Sequence, residues 1–375
     1  MVQIAIIGGG IGGLTAALAL RQAGFEPEIF EQAPALLDVG AAIAIWPNAM
    51  RVIDRLQLTA RILEQAGVME EICWLDQHGF LINSVRIAQN SAPAVALHRA
   101  DLQHLLQHAL PHSSIHLGHT LIEQQPRDDR IVAKFANGDA IEAAFLIGAD
   151  GIHSRVRAQF LNDGDPVYRG YTVWRGISPE VPKALPLATA VELHGRGKRF
   201  GIGPVGLGRA GWWATVNTDD QNQDLAHLFA GWYRPVLELI EATPPSSILK
   251  TGAFDRPPAR NWGSGRMTLL GDAIHPTTPN LGQGGCLAME DAMILARCFE
   301  KYGASEEALR RYERCRYKRT TAVSRYSRYY GDVGQWENVW ARSVRRTALA
   351  LIPETLALRV MRIVFDYDAT TDYTE

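Results

Sequence analysis

Three glycines, Gly8, Gly10 and Gly13, stand in G-x-G-x-x-G spacing near the start of the chain, and a carboxylate, Glu31, follows eighteen residues after the last. Glycines so spaced permit a tight turn, let an anion approach bare backbone and let a helix pack closely on the strand before it. The N–H groups at a helix start carry partial positive charge, so a pyrophosphate is the expected anion. Glu31 can then accept hydrogen bonds from ribose hydroxyls, and an adenine dinucleotide is the expected occupant.

Two later stretches carry chemistry of the same kind. Gly148-Ala149-Asp150-Gly151-Ile152-His153-Ser154-Arg155-Val156-Arg157 sets an Asp-Gly turn at the end of an apolar run. Taken alone it reads either as part of a ligand site or as a capped helix start. Gly271-Asp272-Ala273-Ile274-His275-Pro276, then Pro279-Asn280-Leu281-Gly282-Gln283-Gly284-Gly285, precede a helical pattern and again offer backbone N–H groups to an anion. Arg99 opens the helix at 98–110, where a cation is mildly unfavourable unless it meets an anion such as a cofactor phosphate. On that helix His104 and His108 lie four apart, but Pro111 ends it and no further ligand sits at a recognisable spacing, so a solvated face and no metal are expected.

The elements needed to position these groups are legible in the hydrophobic pattern. Ile4 to Ile7 is a strand, Leu14 to Ala19 lie on a helix ending at Gly24, and Pro27 to Phe30 is a second strand leading to Glu31. Pro47 starts a helix, and Val68 to Ile87 reads as a hairpin turning at His78-Gly79, where the chain leaves the nucleotide domain. Strands follow at 114–136 and, after an Asn137-Gly138 turn, up to Ile147. Residues 165–217 alternate apolar and polar positions and hold Tyr168, Tyr171, Trp174, Phe200, Trp212 and Trp213, among which Arg175, Arg196, Lys198, Arg199 and Arg209 are interspersed. These cations are either ordinary surface charge or a substrate wall. A helix is expected over Leu225 to Glu241, a strand over 266–270 and a helix from Leu287 to Phe299.

At 375 residues and 47% apolar, the chain is long enough for two or three domains. Its net charge of -2 gives no reason to expect nucleic acid. Four scattered cysteines suit a reduced, cytoplasmic setting. No run of apolar residues is long enough to span a bilayer; the nearest, Ala348 to Phe365, is broken by Pro353, Glu354, Arg359 and Arg362, and leaves peripheral membrane contact through the C-terminal segment as an option.

GGGIGG with Glu31, GADGIHSRVR and GDAIHPTTPNLGQGG, in that order, resemble the single-component (class A) flavoprotein monooxygenases of the aromatic-hydroxylase type. VGAAIAIWPN, LHRADL and WGSGRMTLLGD look most like the branch with salicylate, 3-hydroxybenzoate and urate hydroxylases and zeaxanthin epoxidase. The resemblance implies an α/β fold: a Rossmann-like FAD-binding domain (1–72, 95–168 and 262–330), an inserted mixed β-sheet substrate domain (73–94 and 169–261) and a C-terminal helical segment (331–375). It makes Gly8, Gly10, Gly13, Glu31, Gln32, Arg99, Leu121, Asp150, Arg157, Asp272, Gly282, Gln283, Gly284, Gly285 and Cys286 contacts of a non-covalent FAD. Arg199, Tyr171 and Arg175 become candidate catalytic residues, with Arg199, Trp212, Trp213 and Pro279 lining the substrate pocket. The implied reaction uses NAD(P)H and dioxygen and proceeds through a flavin C4a-hydroperoxide. It oxygenates a small electron-rich molecule, either an aromatic ring or an isoprenoid alkene. Arg199 matches a pocket arginine of the urate enzyme, but Gly211 stands where that enzyme has a tyrosine. A reading of another class, a binding module built on the basic helix Arg310 to Arg328, is countered by Glu306, Glu307 and Glu313 beside it.

Overall fold

Three apolar strands run side by side and stop at the same edge, and that edge is where the chemistry-bearing turns meet. A computed structural model of the chain describes residues 2–35, 40–87, 92–218 and 223–371; Val39, one of the small residues before the strand Ala42–Ile45, lies outside them. Val2–Ile7 pairs in parallel with Ala140–Gly148, and Ala140–Gly148 pairs in parallel with Met267–Leu269, with Ile7 opposite Gly148 and Gly148 opposite Leu269. The next residues are Gly8, Ala149-Asp150 and Leu270-Gly271-Asp272. Three turns from the start, middle and later part of the sequence therefore leave one sheet at the carboxyl ends of neighbouring parallel strands, where open α/β sheets bind ligands.

The full order of this sheet is Ile115–His116, Pro27–Phe30, Val2–Ile7, Ala140–Gly148, Ile131–Phe135 and Leu121–Pro126, with Met267–Leu269 joined to the C-terminal half of Ala140–Gly148. Helices Ile11–Gln22 and Gly284–Tyr302 pack on each other beside it, so closely that a Cβ on Gly12 would lie 3.2 Å from that of Ala288.

A second sheet runs Leu249–Asp255, Val167–Ser178, Arg209–Val216, Lys198–Gly206, Thr189–His194, Glu71–Asp76 and Leu81–Arg86. Two separate stretches of chain build it, joined where Thr189–His194 pairs in parallel with Glu71–Asp76. Alternation along its strands sends Trp174, Trp212, Phe200, Leu193 and Val216 to one face, covered by Phe229, Val236 and Leu239. The other face carries Tyr171, Arg175, Arg199, Trp213 and Glu192 and looks toward the first sheet's open edge.

Two expectations about elements fail for local reasons. The helix expected over 225–241 is two, Leu225–Leu228 and Arg234–Ala242, because Gly231 adopts a left-handed conformation and Pro235 restarts the turn. The expected boundary at residue 330 falls inside the helix Glu306–Gly334. The helices Val339–Leu351 and Glu354–Phe365 follow, and the chain then returns to the first sheet's domain: Phe365 stacks on Trp46 at 4.3 Å, and Arg51 and Arg319 bind carbonyls of residues 363–367. No described helix is long and apolar enough to cross a membrane.

Candidate active site

At the first turn two glycines are required and one is spare. A Cβ on Gly8, whose φ is +111°, would lie 2.5 Å from the Ala149 carbonyl oxygen, and one on Gly13 would lie 2.0 Å from that of Gly8. A Cβ on Gly10 would meet nothing within 4 Å, and Gly10 gives its helix no side-chain cap. Open space in front of uncapped N–H groups is the form of a phosphate cradle. Glu31 ends the neighbouring strand with its carboxylate accepting from the N–H of Gly9 (2.5 Å) and of Ala33 (2.9 Å). Gln103 reaches in to bind the Gly9 carbonyl at 3.0 Å, a contact the sequence did not announce, since Gln103 reads as one more polar residue on a helix face. Arg99, exposed at the start of that helix, and the exposed Gln32 flank the groove. Leu121 has its side chain in the core and its carbonyl bound by Arg155, so neither is free to meet a ligand.

The second turn does scaffolding work. One carboxylate oxygen of Asp150 accepts from the Ser154 hydroxyl (2.5 Å) and the other from the N–H groups of Arg155 (2.7 Å) and Val156 (3.2 Å), which caps the helix Arg155–Leu161. Arg157 is buried, paired with Asp163, and donates to the carbonyls of Ala273 (3.2 Å) and Ile274 (2.7 Å). The direct cofactor contact expected of Arg157 is replaced by a supporting role: it holds the turn that carries Asp272.

Asp272 itself accepts no hydrogen bond among the described residues, although protein surrounds it closely enough that burial pushes its pKa up, against the pull of His275 and Arg99. Its tip remains open to solvent, and a Cβ on Gly284, first residue of the helix Gly284–Tyr302, would lie 3.7 Å from Oδ1. Gln283 before that helix gives no side-chain cap. Gly282 turns with φ +61° against the indole nitrogen of Trp46, and Gly285 abuts Ile43, so the loop from Pro279 to Gly285 lies backbone-first along the groove. Cys286 is buried behind it with its thiol pushed up to about 12, chiefly by burial, and so has no thiolate chemistry.

Behind this loop lies a buried ionic cluster. Arg316 donates to Asp291 (2.6 Å) and Glu290 (2.6 Å), Arg319 to Glu290 (3.0 Å), and Asn48 to both Glu290 (2.6 Å) and Gln283 (3.0 Å). Burial opposes the charge on Glu290 and Asp291, but the arginines, and His275 beside Asp291, outweigh it and hold both carboxyls low. Asp291 also accepts from the Gly271 N–H at 3.0 Å, which ties the cluster to the Asp272 turn. The basic helix is thus largely paired inward, with Arg310 on Glu313 and Arg328 on Asp255 as well.

Across the groove, Tyr171 accepts a hydrogen bond from Asn280 of the loop at 2.9 Å, and Arg175 and Trp213 sit directly opposite on adjacent strands. Arg199 departs from expectation. It is fully buried, donating to Gln335 (3.1 Å), Glu192 (3.1 Å) and Asn280 and lying over the rings of Trp213 and Tyr330. Gln335 comes from the turn after the long helix, a partner 136 residues away that no strand pattern could disclose. Trp212 also faces away, its indole bound to Thr243 on the helix-covered side, whereas half-buried Trp213 and Pro279 face the groove side. Arg199 and Trp212 therefore line no open pocket.

An uncapped glycine turn before a helix, a carboxylate after the neighbouring strand, and an aspartate that accepts no hydrogen bond among the described residues beside a second uncapped helix are groups that fit FAD. Comparison with known proteins agrees. Residues 1–327 match the family described as "FAD binding domain". The chain belongs to that family of class A flavin monooxygenases. It is 39% identical over 94% of both chains to the aurachin C monooxygenase/isomerase of Stigmatella aurantiaca. It is 35% identical to the 3-amino-4-hydroxybenzoate 2-monooxygenase of Streptomyces cremeus, over 87% of this chain and 86% of that one. The structure of Klebsiella pneumoniae HpxO complexed with FAD and uric acid superposes with a TM-score of 0.90 at 29% identity, covering 96% of this chain and 97% of that one. The protein is an FAD-dependent monooxygenase, which removes the binding-module reading of the basic helix.

Proposed function

We propose that this monooxygenase uses NAD(P)H and dioxygen to hydroxylate a small, electron-rich aromatic or heteroaromatic ring that carries an anionic group. One observation carries this reading. Arg175 faces the groove with a neutral hydrogen-bond partner, Thr251 (3.2 Å), and burial together with the like charge of Arg99 lowers its pKa. A guanidinium held in a partly desolvated groove by a neutral hydroxyl favours an anion beside it. The aromatic acid named for one relative and the uric acid bound to another are molecules of this type.

The residues divide the work as follows. Gly8 to Gly13, Glu31 and Arg99 hold the adenine dinucleotide half of FAD, and Asp272 with the N–H groups of 282–286 holds the flavin half. Bound FAD supplies the activation of dioxygen. The helix start at Gly284 favours negative charge at the ring edge it faces. Tyr171, with its hydroxyl fixed by Asn280, and Trp213 wall the ring to be oxygenated and keep water out. Burial raises the Tyr171 pKa, so its hydroxyl keeps its proton at neutral pH and serves as a donor. The strands of 71–86 and 167–255 form the substrate side, and the discontinuous first sheet with its helices forms the FAD side.

Product analysis of the FAD-loaded enzyme with phenolic acids, N-heterocycles and isoprenoid alkenes under labelled dioxygen tests the proposal. One labelled oxygen in a ring hydroxyl supports it; an epoxide from the alkene with peroxide alone from every aromatic overturns it. Arg175→Gln is expected to raise KM for the accepted acid about tenfold with FAD content unchanged, the scale of one charge-assisted hydrogen bond. An unchanged KM removes Arg175 from the site.

A further inference from the structure

Both C-terminal helices leave an apolar stripe in solvent, and the first of them is built inside out. On Val339–Leu351 the residue turned into the protein is Arg345, whose guanidinium donates to the carbonyls of Val333 (3.1 Å), Gly334 (2.5 Å) and Gly195 (3.1 Å). The opposite side presents Trp340, Val344 and Leu351 to solvent, at 78%, 63% and 74% exposure and at positions i, i+4 and i+11 of one stripe. Glu354–Phe365 packs Ala357, Leu358, Met361, Val364 and Phe365 on the core in the ordinary way and still leaves Leu356, Val360 and Ile363 as an exposed i, i+4, i+7 stripe. Neither helix is loosely attached. Both pack on the edge strand Leu81–Arg86, and Asn83 in that strand binds the carbonyls of Leu349 (2.7 Å) and Ile352 (3.0 Å) between them. The hairpin before the same strand adds exposed Phe80 and Leu81.

Charge distinguishes among the surfaces that could cover this face. Residues 336–366 hold five arginines, one of them the buried Arg345, against two glutamates and Asp366, a net of two positive charges in a chain whose net is -2. Arg346, Arg359 and Arg362 are exposed, Arg346 in a loose surface pair with Asp76 (3.4 Å) and Arg362 with Asp366 (3.7 Å), and Arg359 and Arg362 border the apolar stripe of their helix. A second copy docking here would bring like charges together. An anionic bilayer accepts both features: the apolar stripe enters the headgroup boundary, the tryptophan settles at the interface, and the arginines meet lipid phosphates.

We propose that this face docks the enzyme reversibly on an anionic lipid surface, as a peripheral and not a spanning contact. The test uses the full FAD-loaded chain with vesicles of phosphatidylcholine alone or mixed with phosphatidylglycerol. Sedimentation with the mixed vesicles, weakened by salt, is expected, together with quenching of tryptophan fluorescence by brominated lipid. W340S/L356S/I363S is expected to lose at least about tenfold in partitioning. R359E/R362E is expected to lose about 30-fold or more. All five positions are exposed, so FAD content and the thermal transition should not change; the arginine variant and the quenching of the unaltered protein serve independently if the triple variant misfolds. Failure to sediment with either vesicle, equal binding to the neutral one, or a solution dimer that W340S/L356S/I363S dissociates would overturn the proposal.

Discussion

Asp272 and Asp150 both close a turn at the same sheet edge, and the structure predicts that their removal separates cofactor affinity from stability. Asp150 makes three hydrogen bonds inside the protein, to the Ser154 hydroxyl and two N–H groups of the helix it caps. Replacing it with Ala should cost about 1–2 kcal/mol of apoprotein stability, the range for a lost N-cap, and leave FAD affinity little changed. Asp272 makes none among the described residues and faces the groove beside Gly284. Its replacement by Ala removes a charge-assisted bond to the cofactor worth about 1–3 kcal/mol, or about 5- to 150-fold in Kd. Asp272→Asn, which keeps an acceptor, should fall between. The measurements are FAD titration of the apoprotein by fluorescence and thermal unfolding of the apo forms. A wild-type Kd for Asp272→Ala would refute the assignment, as would an Asp150→Ala protein that binds FAD more weakly than Asp272→Ala at undiminished stability.

Arg199→Met should act first on folding: it strips Glu192 and Gln335 of a buried partner, at about 3–5 kcal/mol. A variant with an unaltered melting temperature would show that Arg199 is not structural. Acid sensitivity has a defined source in His194, which burial holds at about 4 against an ordinary 6.5, both ring nitrogens lacking hydrogen bonds in the described structure. As pH falls from 6.5 toward 4 the unfolded chain takes up this proton before the folded one does. Stability should then drop by up to about 3 kcal/mol across that window. Denaturant unfolding of wild type and His194→Leu at several pH values checks this; parallel pH profiles would contradict it.

How legible the protein was depends on how far each residue's partners lie along the chain. The FAD-binding fold, the two glycine turns that open on uncapped helix starts and the place of Glu31 just after a strand could be read from the sequence, because a glycine's φ, a strand's alternation and a helix N-terminus are properties of a few consecutive residues. That the turns at Gly8, Asp150 and Asp272 share one edge was fixed by the parallel register of Val2–Ile7, Ala140–Gly148 and Met267–Leu269. The same local motif then gave three outcomes, because the neighbours differ. Asp150 found N–H groups within six residues and became a cap, while Arg157 found carbonyls more than a hundred residues away and became a brace. Asp272 found no protein donor among the described residues. Arg199 looked open on an alternating strand, yet Gln335 and Asn280 arrive from distant segments to close over it. Val339–Leu351 shows the converse: the sequence carries its apolar and basic residues, but only packing of Arg345 against Gly334 and Gly195 decides that its apolar side faces out. Spacing specifies which groups share a local face; burial and long-range pairing, which depend on the whole fold, decide whether that face meets cofactor, core or solvent.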